Sequence, residues 1–123
     1  MTFDEFNRFC RDLTATTYVV QRNQSHVWKV GGKVFAIGST TKTGASGFSF
    51  KASERNLAFL CHVDGYQPAP YFASRGMKWI QQIETSGALD EDLKYYLTES
   101  YRLVFAGLSK RVQAEIAHSA ENQ

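Results

Sequence analysis

The chain has 123 residues, enough for one domain with its own core and too few for two of ordinary size. Hydrophobic residues make up 43% and charged residues 21%, a mix that is typical of a globular protein and excludes a disordered one. The net charge of +2 is too small to indicate nucleic-acid binding by itself, because nucleic-acid-binding domains usually carry strong, clustered positive charge.

The cysteines and the N-terminal segment bear on the cellular compartment. Cys10 and Cys61 are too few and too far apart to predict a disulfide framework or a zinc site. Residues 1–13 alternate charged and aromatic side chains and lack the apolar segment of a signal peptide. No stretch reaches the roughly 20 apolar residues that a membrane span requires. We therefore expect a cytoplasmic protein with no membrane partner.

The first segment predicts an amphipathic helix. Thr2 followed by Glu5 has the spacing of a capping box, in which each side chain bonds the other residue's free backbone N–H. Apolar side chains then recur at helical spacing, at Phe3, Phe6, Cys10 and Leu13. We interpret Cys10 as a small core residue rather than a reactive thiol.

Strands are predicted to follow over residues 16–20, 26–30, 33–39 and 47–51. The first two are joined by a polar turn. Gly31 and Gly32 predict a tight hairpin, because both central positions of a type I′ turn need positive φ. Residues 40–47 form a loop of small residues with Lys42 near its tip. Short connections between consecutive strands indicate antiparallel pairing.

The next segment predicts a helix that begins after Ser53 as its N-cap and closes at Gly65. Leu57, Leu60 and Cys61 fall on one side of it, so we expect Cys61 in the core with His62 at its edge.

The C-terminal half predicts one more strand and two more helices. Residues 66–72 contain two prolines and predict an extended loop without regular structure. Residues 77–84 predict a strand, and residues 90–97 predict a short helix with three acids in its first turn. Thr98 is predicted to cap a final helix, and the tail at 118–123 is expected to fray.

The predicted order is α-β-β-β-β-α-β-α-α. This order indicates an α+β fold, a two-layer sandwich in which helices cover one face of an antiparallel sheet of about five strands. Nothing in the sequence suggests a repeat or a linker, so residues 1–117 are predicted to form a single domain.

The sequence offers little support for an enzyme, a metal site or a cofactor. Cys61 and His62 are neighbours on a helix, so their side chains diverge by ~100° and cannot pair directly. No HxxxH or HExxH spacing brings two imidazoles to one helix face. The acids at 90–92 suit the helix dipole better than a cation site, and no phosphate-loop spacing is present. We expect no catalytic residues, no metal and no cofactor.

The distribution of charge is more informative than any motif. Residues 14–83 carry eight basic and two acidic groups, a net charge of +6, whereas residues 84–123 carry four basic and seven acidic groups, a net charge of −3. If Phe50 and Trp79 face the helices, strand alternation places Lys51 and Lys78 on the opposite face of the sheet. The candidate nucleic-acid-binding residues are Lys29, Lys42, Lys51, Arg75 and Lys78. The alternative is that these side chains only keep an exposed sheet soluble and block edge pairing.

Several segments in order resemble the MmcQ/YjbR family, from the first helix to about residue 111. They are residues 32–36 (GKVFA), 50–54 (FKASE), 68–72 (PAPYF), 78–80 (KWI) and 100–104 (SYRLV). The resemblance implies a fold like that of secretion chaperones and frataxin-like domains. It also implies DNA binding through a "double wing" of two β-hairpins.

The individual positions that match the family are Lys33, Lys51, Tyr71, Trp79, Ser100 and Tyr101. Trp79 and Tyr101 fit core positions, and Ser100 falls in the first turn after the predicted Thr98 cap. The chain departs from the family pattern at residues 14–17, which lack a Pro-Gly pair, and in the long loop at 40–47.

Two functions follow as expectations. The first is non-enzymatic, weak and sequence-tolerant binding of duplex DNA by the basic sheet face and hairpin loop. The alternative is a protein-interaction module, similar to a secretion chaperone, that uses the sheet face or the aromatic loop at 66–72 to hold a protein partner.

Overall fold

A computed structural model describes residues 1–83 and 86–121, with the side chains of Arg22 and Glu121 excepted. The helices are α1 (Phe3–Arg11), α2 (Glu54–Leu60), α3 (Pro70–Ala73), α4 (Asp90–Ala106) and α5 (Lys110–Glu121). The strands are β1 (Thr16–Gln21), β2 (Ser25–Val30), β3 (Lys33–Thr40), β4 (Ser46–Lys51), β5 (Tyr66–Pro68) and β6 (Trp79–Gln82), and a short 3-10 helix over Arg22–Gln24 joins β1 to β2.

The strands form one antiparallel sheet in the order β1-β2-β3-β4-β6-β5. One face, the helix face, packs against α1, α2 and α4. Its best-buried row runs through Trp28, Ala36, Phe50 and Ile80, which pair across four neighbouring strands and are at most 2% exposed. The α+β two-layer architecture predicted from the sequence is confirmed.

Sheet geometry explains two local features. Gly31 and Gly32 have φ of 58° and 79°, so the predicted two-residue hairpin between β2 and β3 is confirmed. A β-bulge in the β2–β3 ladder breaks the alternation near Phe35. Phe35 and Ala36 are therefore both fully buried although they are consecutive, and the Phe35 ring meets Tyr101 of α4 edge-on.

The first helix is as predicted. Thr2 and Glu5 form both hydrogen bonds of the capping box, and Phe6 and Cys10 are fully buried. Burial also raises the pKa of the Cys10 thiol far above its usual range, which is consistent with an unreactive core residue.

The second half departs from the sequence prediction in four places. Residues 66–72 are not an irregular loop, because β5 ends at Pro68 on the sheet edge and Pro70 occupies the first turn of α3. The sheet consequently has six strands. The predicted strand at 77–84 is shorter, since β6 covers Trp79–Gln82, and Glu84 lies outside the described residues.

The two predicted C-terminal helices are divided elsewhere. Thr98 is not a cap, because it lies inside α4 and its hydroxyl donates to the Lys94 carbonyl at 2.9 Å. The break comes at Gly107, after which the Ser109 hydroxyl accepts from the Val112 N–H. Helix α5 then continues past the predicted domain end at 117 to Glu121.

Cys61 was expected in the core and is instead exposed, at the C-terminal cap of α2. Cys61 keeps helical backbone angles, so its exposure reflects the narrow buried side of this short helix, on which Leu60 is buried and Leu57 is half-buried. His62 is exposed beside it. No helix in the described part of the chain is both long enough and apolar enough to cross a membrane.

Candidate nucleic-acid interface on the open sheet face

The sheet face opposite the helix face is called here the open face. One continuous row of paired residues crosses all six strands on this face. In spatial order the row is Val19, Val27, Ile37, Ser49, Gln81 and Gln67. The row is apolar on the first three strands and polar on the last three, so the open face changes chemistry halfway across.

A groove of about 1220 Å³ lies over the middle of this row. One end is bounded by the loop between β3 and β4, with Lys42, and the other by α3, with Tyr71 and Phe72. Its floor includes Val27, Ile37, Ser49, Gln67 and Gln81. Among the described lining residues, Lys42 is the one that carries a charge.

Two glutamines organise the polar half of the floor. Gln67 Nε2 donates to Gln81 Oε1 at 2.8 Å, which fixes both amides across the β5–β6 ladder. Gly47 makes room for them, because a Cβ at this position would lie 2.8 Å from Gln81 Nε2. The polar half of the floor is therefore a preorganised set of neutral hydrogen-bonding groups.

The aromatic end of the groove is built from α3 and β6. The Phe72 ring stacks on the Trp79 indole with centroids 4.4 Å apart, which holds α3 against the open face. The neighbouring Tyr71 ring is 61% exposed, and the Arg75 guanidinium lies 4.7 Å from its centroid. Arg75 is thereby positioned next to the groove through Tyr71.

Trp79 was expected to face the helices together with Phe50, and this is wrong. The register pairs Phe50 with Ile80 and Lys51 with Trp79, so Trp79 lies on the open face although it is only 4% exposed. Its burial comes from α3, in a segment for which the sequence predicts an irregular loop.

Because Trp79 lies on the open face, two of the predicted basic residues, Lys51 and Lys78, point to opposite faces of the sheet. Lys51 does point to the open face, with Ser49 and Trp79. Lys78 does not, because its ammonium lies 2.6 Å from a carboxylate oxygen of Glu54 at the start of α2. This contact lowers the pKa of the Glu54 carboxyl, chiefly through the hydrogen bond from Lys78.

The remaining basic residues are distributed over the open face rather than gathered. Trp28 points to the helix face, where its indole N–H donates to Asn7 of α1 at 2.9 Å. The next residue, Lys29, therefore lies on the open face, and it is half-buried there. Lys29 and Lys51 lie toward the β2–β3 hairpin, and Lys42 lies at the far end. The family position Lys33 is exposed directly after that hairpin.

Ser100 and Tyr101, the family positions on α4, have structural roles. Ser100 is fully buried in mid-helix rather than in a first turn, and its hydroxyl donates to the Phe35 carbonyl at 2.6 Å. It also accepts from the Lys51 N–H at 2.9 Å, so one side chain ties α4 to both β3 and β4. The Tyr101 hydroxyl donates to the Thr14 carbonyl at 2.6 Å.

Acidic residues are excluded from the sheet. The six strands contain three lysines and no acidic residue. The acids in the described part of the chain lie on helices or on the connections next to them, with Asp90, Glu91 and Asp92 at the start of α4 as the densest group. Acidic charge is thus confined to the helices and their connections, which also carry basic residues such as Lys110 and Arg111 at the start of α5.

The groove itself was missed by sequence reasoning. A usable signal was the pair of glutamines in β5 and β6, because polar residues in the middle of a sheet are unusual unless they have a partner. Their register could not be known without β5. In the described residues the structure shows no cluster of three or more His, Cys, Asp or Glu side chains suited to a metal ion.

These observations define a two-layer α+β domain with one helix-covered face and one open, basic face. The family model YjbR matches residues 11–103, which is most of the chain, and the chain belongs to this family. The expected membership of MmcQ/YjbR is confirmed.

A solved structure supports the fold. The crystal structure of Deinococcus radiodurans protein DR2400, with a DUF419 family domain, superposes with a TM-score of 0.79 at 21% sequence identity. The match covers 94% of this chain and 88% of that one. No curated protein matches the chain.

Proposed function

We propose that this protein is a non-enzymatic DNA-binding protein that holds the phosphate backbone of a duplex on its open face. The observation that carries the proposal is the segregation of charge, in which acid-free strands present lysines while the acids lie on and beside the helices. A phosphate backbone is attracted to the first surface and repelled by the second.

The proposed phosphate contacts are Lys29, Lys51, Lys42 and Arg75. Lys42 is on a loop and Arg75 follows a short helix, so both can adjust to the backbone, whereas Lys29 and Lys51 are fixed by their strands. Lys78 is a weaker contact, because Glu54 already neutralises it. Few contacts spread over one face favour weak binding with little dependence on base sequence.

The experiment is a titration of labelled duplex DNA at several salt concentrations. Each neutralised phosphate is expected to contribute about −0.9 to the slope of log K against log [salt]. Lys51→Gln and Lys42→Gln should each remove one phosphate contact and so reduce the magnitude of the slope by about 0.9. Each variant should also weaken binding to the same extent on DNA duplexes of unrelated sequence.

The matched control is Lys110→Gln at the start of α5, which removes the same charge from an exposed lysine outside the sheet. A salt slope that Lys110→Gln reduces as much as Lys51→Gln would show that only net charge matters. Failure to bind duplex at low salt would overturn the proposal.

A second candidate function is favoured by the groove rather than by the lysines. The polar half of its floor lies next to Tyr71 and Phe72 and suits an extended peptide, because exposed aromatic side chains commonly anchor protein contacts. In that case Tyr71→Ala abolishes capture of the partner, while Lys51→Glu leaves it unchanged.

A further inference from the structure

The two edges of the sheet are protected to very different degrees. At one edge, β5 has three residues, ends at Pro68 and turns directly into α3. Short length and proline are devices that prevent an edge strand from pairing with another chain. The other edge is β1, which has six residues, TTYVVQ, with no proline, glycine or charged side chain. One edge is blocked and the other is available.

The side chains of β1 are exposed as well as its backbone. Tyr18, Val19 and Val20 are three consecutive large apolar residues, exposed by 42%, 38% and 50%. Tyr18 and Val20 lie on the helix face and Val19 lies on the open face. Because they project to both faces, covering them requires a neighbour that continues the sheet rather than one that lies on a single face.

We propose that β1 pairs with β1 of a second copy of this chain, so that two six-stranded sheets form one continuous twelve-stranded sheet. Antiparallel pairing of identical strands about a two-fold axis is self-complementary. The absence of charge from β1 is what permits it, since a charged residue near the axis would face its own copy. Because β1 carries no charge, a charged partner would gain no electrostatic attraction from this strand.

The open-face row supports a second copy as the occupant. Its apolar half, Val19, Val27 and Ile37, ends at the β1 edge, and its polar half ends at β5. Pairing through β1 brings the two apolar halves together at the axis and leaves the polar halves outermost. The two-fold axis of such a pair is perpendicular to the sheet, so both open faces lie on the same side of the dimer.

The test is the mass of the purified full chain in solution, measured by light scattering over a range of concentrations. We expect twice the mass of one chain, falling toward one chain on dilution. Val19→Lys and Val20→Lys each place two positive charges near the axis and are expected to weaken the dimer at least about tenfold, because like charges juxtaposed across an interface are strongly unfavourable.

The matched control is Tyr95→Lys, which places the same charge at an apolar α4 residue that is 57% exposed and away from β1. It should leave the dimer unchanged. A wild-type chain with the mass of one copy at every concentration overturns the proposal, and so does a dimer that Val19→Lys does not weaken.

Hydrogen exchange gives a readout that needs no variant. Backbone amides of β1 should exchange more slowly as the concentration rises, while those of β5 should not change. Equal rates in β1 at low and high concentration would exclude pairing through this edge. Neither measurement involves DNA, so both outcomes are independent of the function proposed above.

Discussion

Two neighbouring rows of the sheet, one residue apart along every strand, show how the same backbone serves two purposes. The helix-face row through Trp28, Ala36, Phe50 and Ile80 is apolar and buried under the helices. The adjacent open-face row ends in Ser49, Gln81 and Gln67, which form a polar floor. Since the pleat sends consecutive side chains to opposite faces, stability and recognition can be encoded in alternate positions of one sequence.

The largest expected difference between the rows is in stability. Phe50→Ala should lower the free energy of unfolding by about 3–5 kcal/mol, because it leaves a cavity beneath Tyr96, whose ring stacks on Phe50 at 5.7 Å. Its open-face counterpart, Ile37→Ala, removes a half-buried side chain and should cost less than about 2 kcal/mol. Denaturant unfolding measures both, and equal costs would mean that the open face is a second core.

The next largest effect concerns the hydroxyl that joins the layers. Ser100→Ala should cost about 1–3 kcal/mol, because the buried Phe35 carbonyl and the Lys51 N–H both lose their partner on α4. Ser49→Ala, on the groove floor, should cost less, since water in the groove can replace its hydroxyl. The same unfolding measurement applies, and an unaffected Ser100→Ala protein would show that α4 is held by apolar packing alone.

High pH should lower the stability of the fold through Tyr66. Burial, with Asp92 and Tyr96 nearby, raises the pKa of Tyr66 to about 12. The unfolded chain therefore loses this proton first, near pH 10, and stability falls as the pH rises from about 10 to 12, by up to about 1.4 kcal/mol per pH unit. Tyr66→Phe should flatten this part of the stability curve, and an unchanged curve would exclude Tyr66 as its source.

The sequence alone predicted the features that depend on local chemistry. The capping box at Thr2 and Glu5 and the Gly31-Gly32 hairpin are set by neighbouring residues and are confirmed. The helix-capping role of Thr98 was wrong because Ser and Thr also bond within a helix, as Thr98 does to Lys94.

The features that the sequence did not predict depend on distant partners. Trp79 was placed on the wrong face because its burial comes from Phe72, on a helix of four residues that begins with a proline. Lys78 lies on the face opposite Trp79, as alternation requires, so the same error placed Lys78 wrongly, and Glu54 then binds its ammonium. The groove depends on the pairing of Gln67 with Gln81 across the edge ladder.

The smallest expected effect tests whether Lys78 can be added to the proposed DNA contacts of the open face. Lys78 lies close to Lys51, since its carbonyl accepts from the N–H of Ala52, yet its charge is held by Glu54. Glu54→Gln releases it, and we expect duplex DNA to bind about two- to threefold more tightly, as the loss of an exposed ion pair permits. The salt slope should grow in magnitude by up to about 0.9 if Lys78 then meets a phosphate.

Glu99→Gln is the matched control, because it makes the same change in net charge and releases Arg102 on α4, away from the open face. If both variants tighten binding equally, DNA responds to net charge and the open face has no special role.

Low pH should have the same effect on DNA binding as Glu54→Gln, because protonation of Glu54 also releases Lys78. Lys78 holds the pKa of Glu54 below its usual 4.5, so the pair persists at neutral pH and is lost only as the pH falls through that lowered value. The effect of acid on binding should then be smaller in Glu54→Gln than in the wild-type chain.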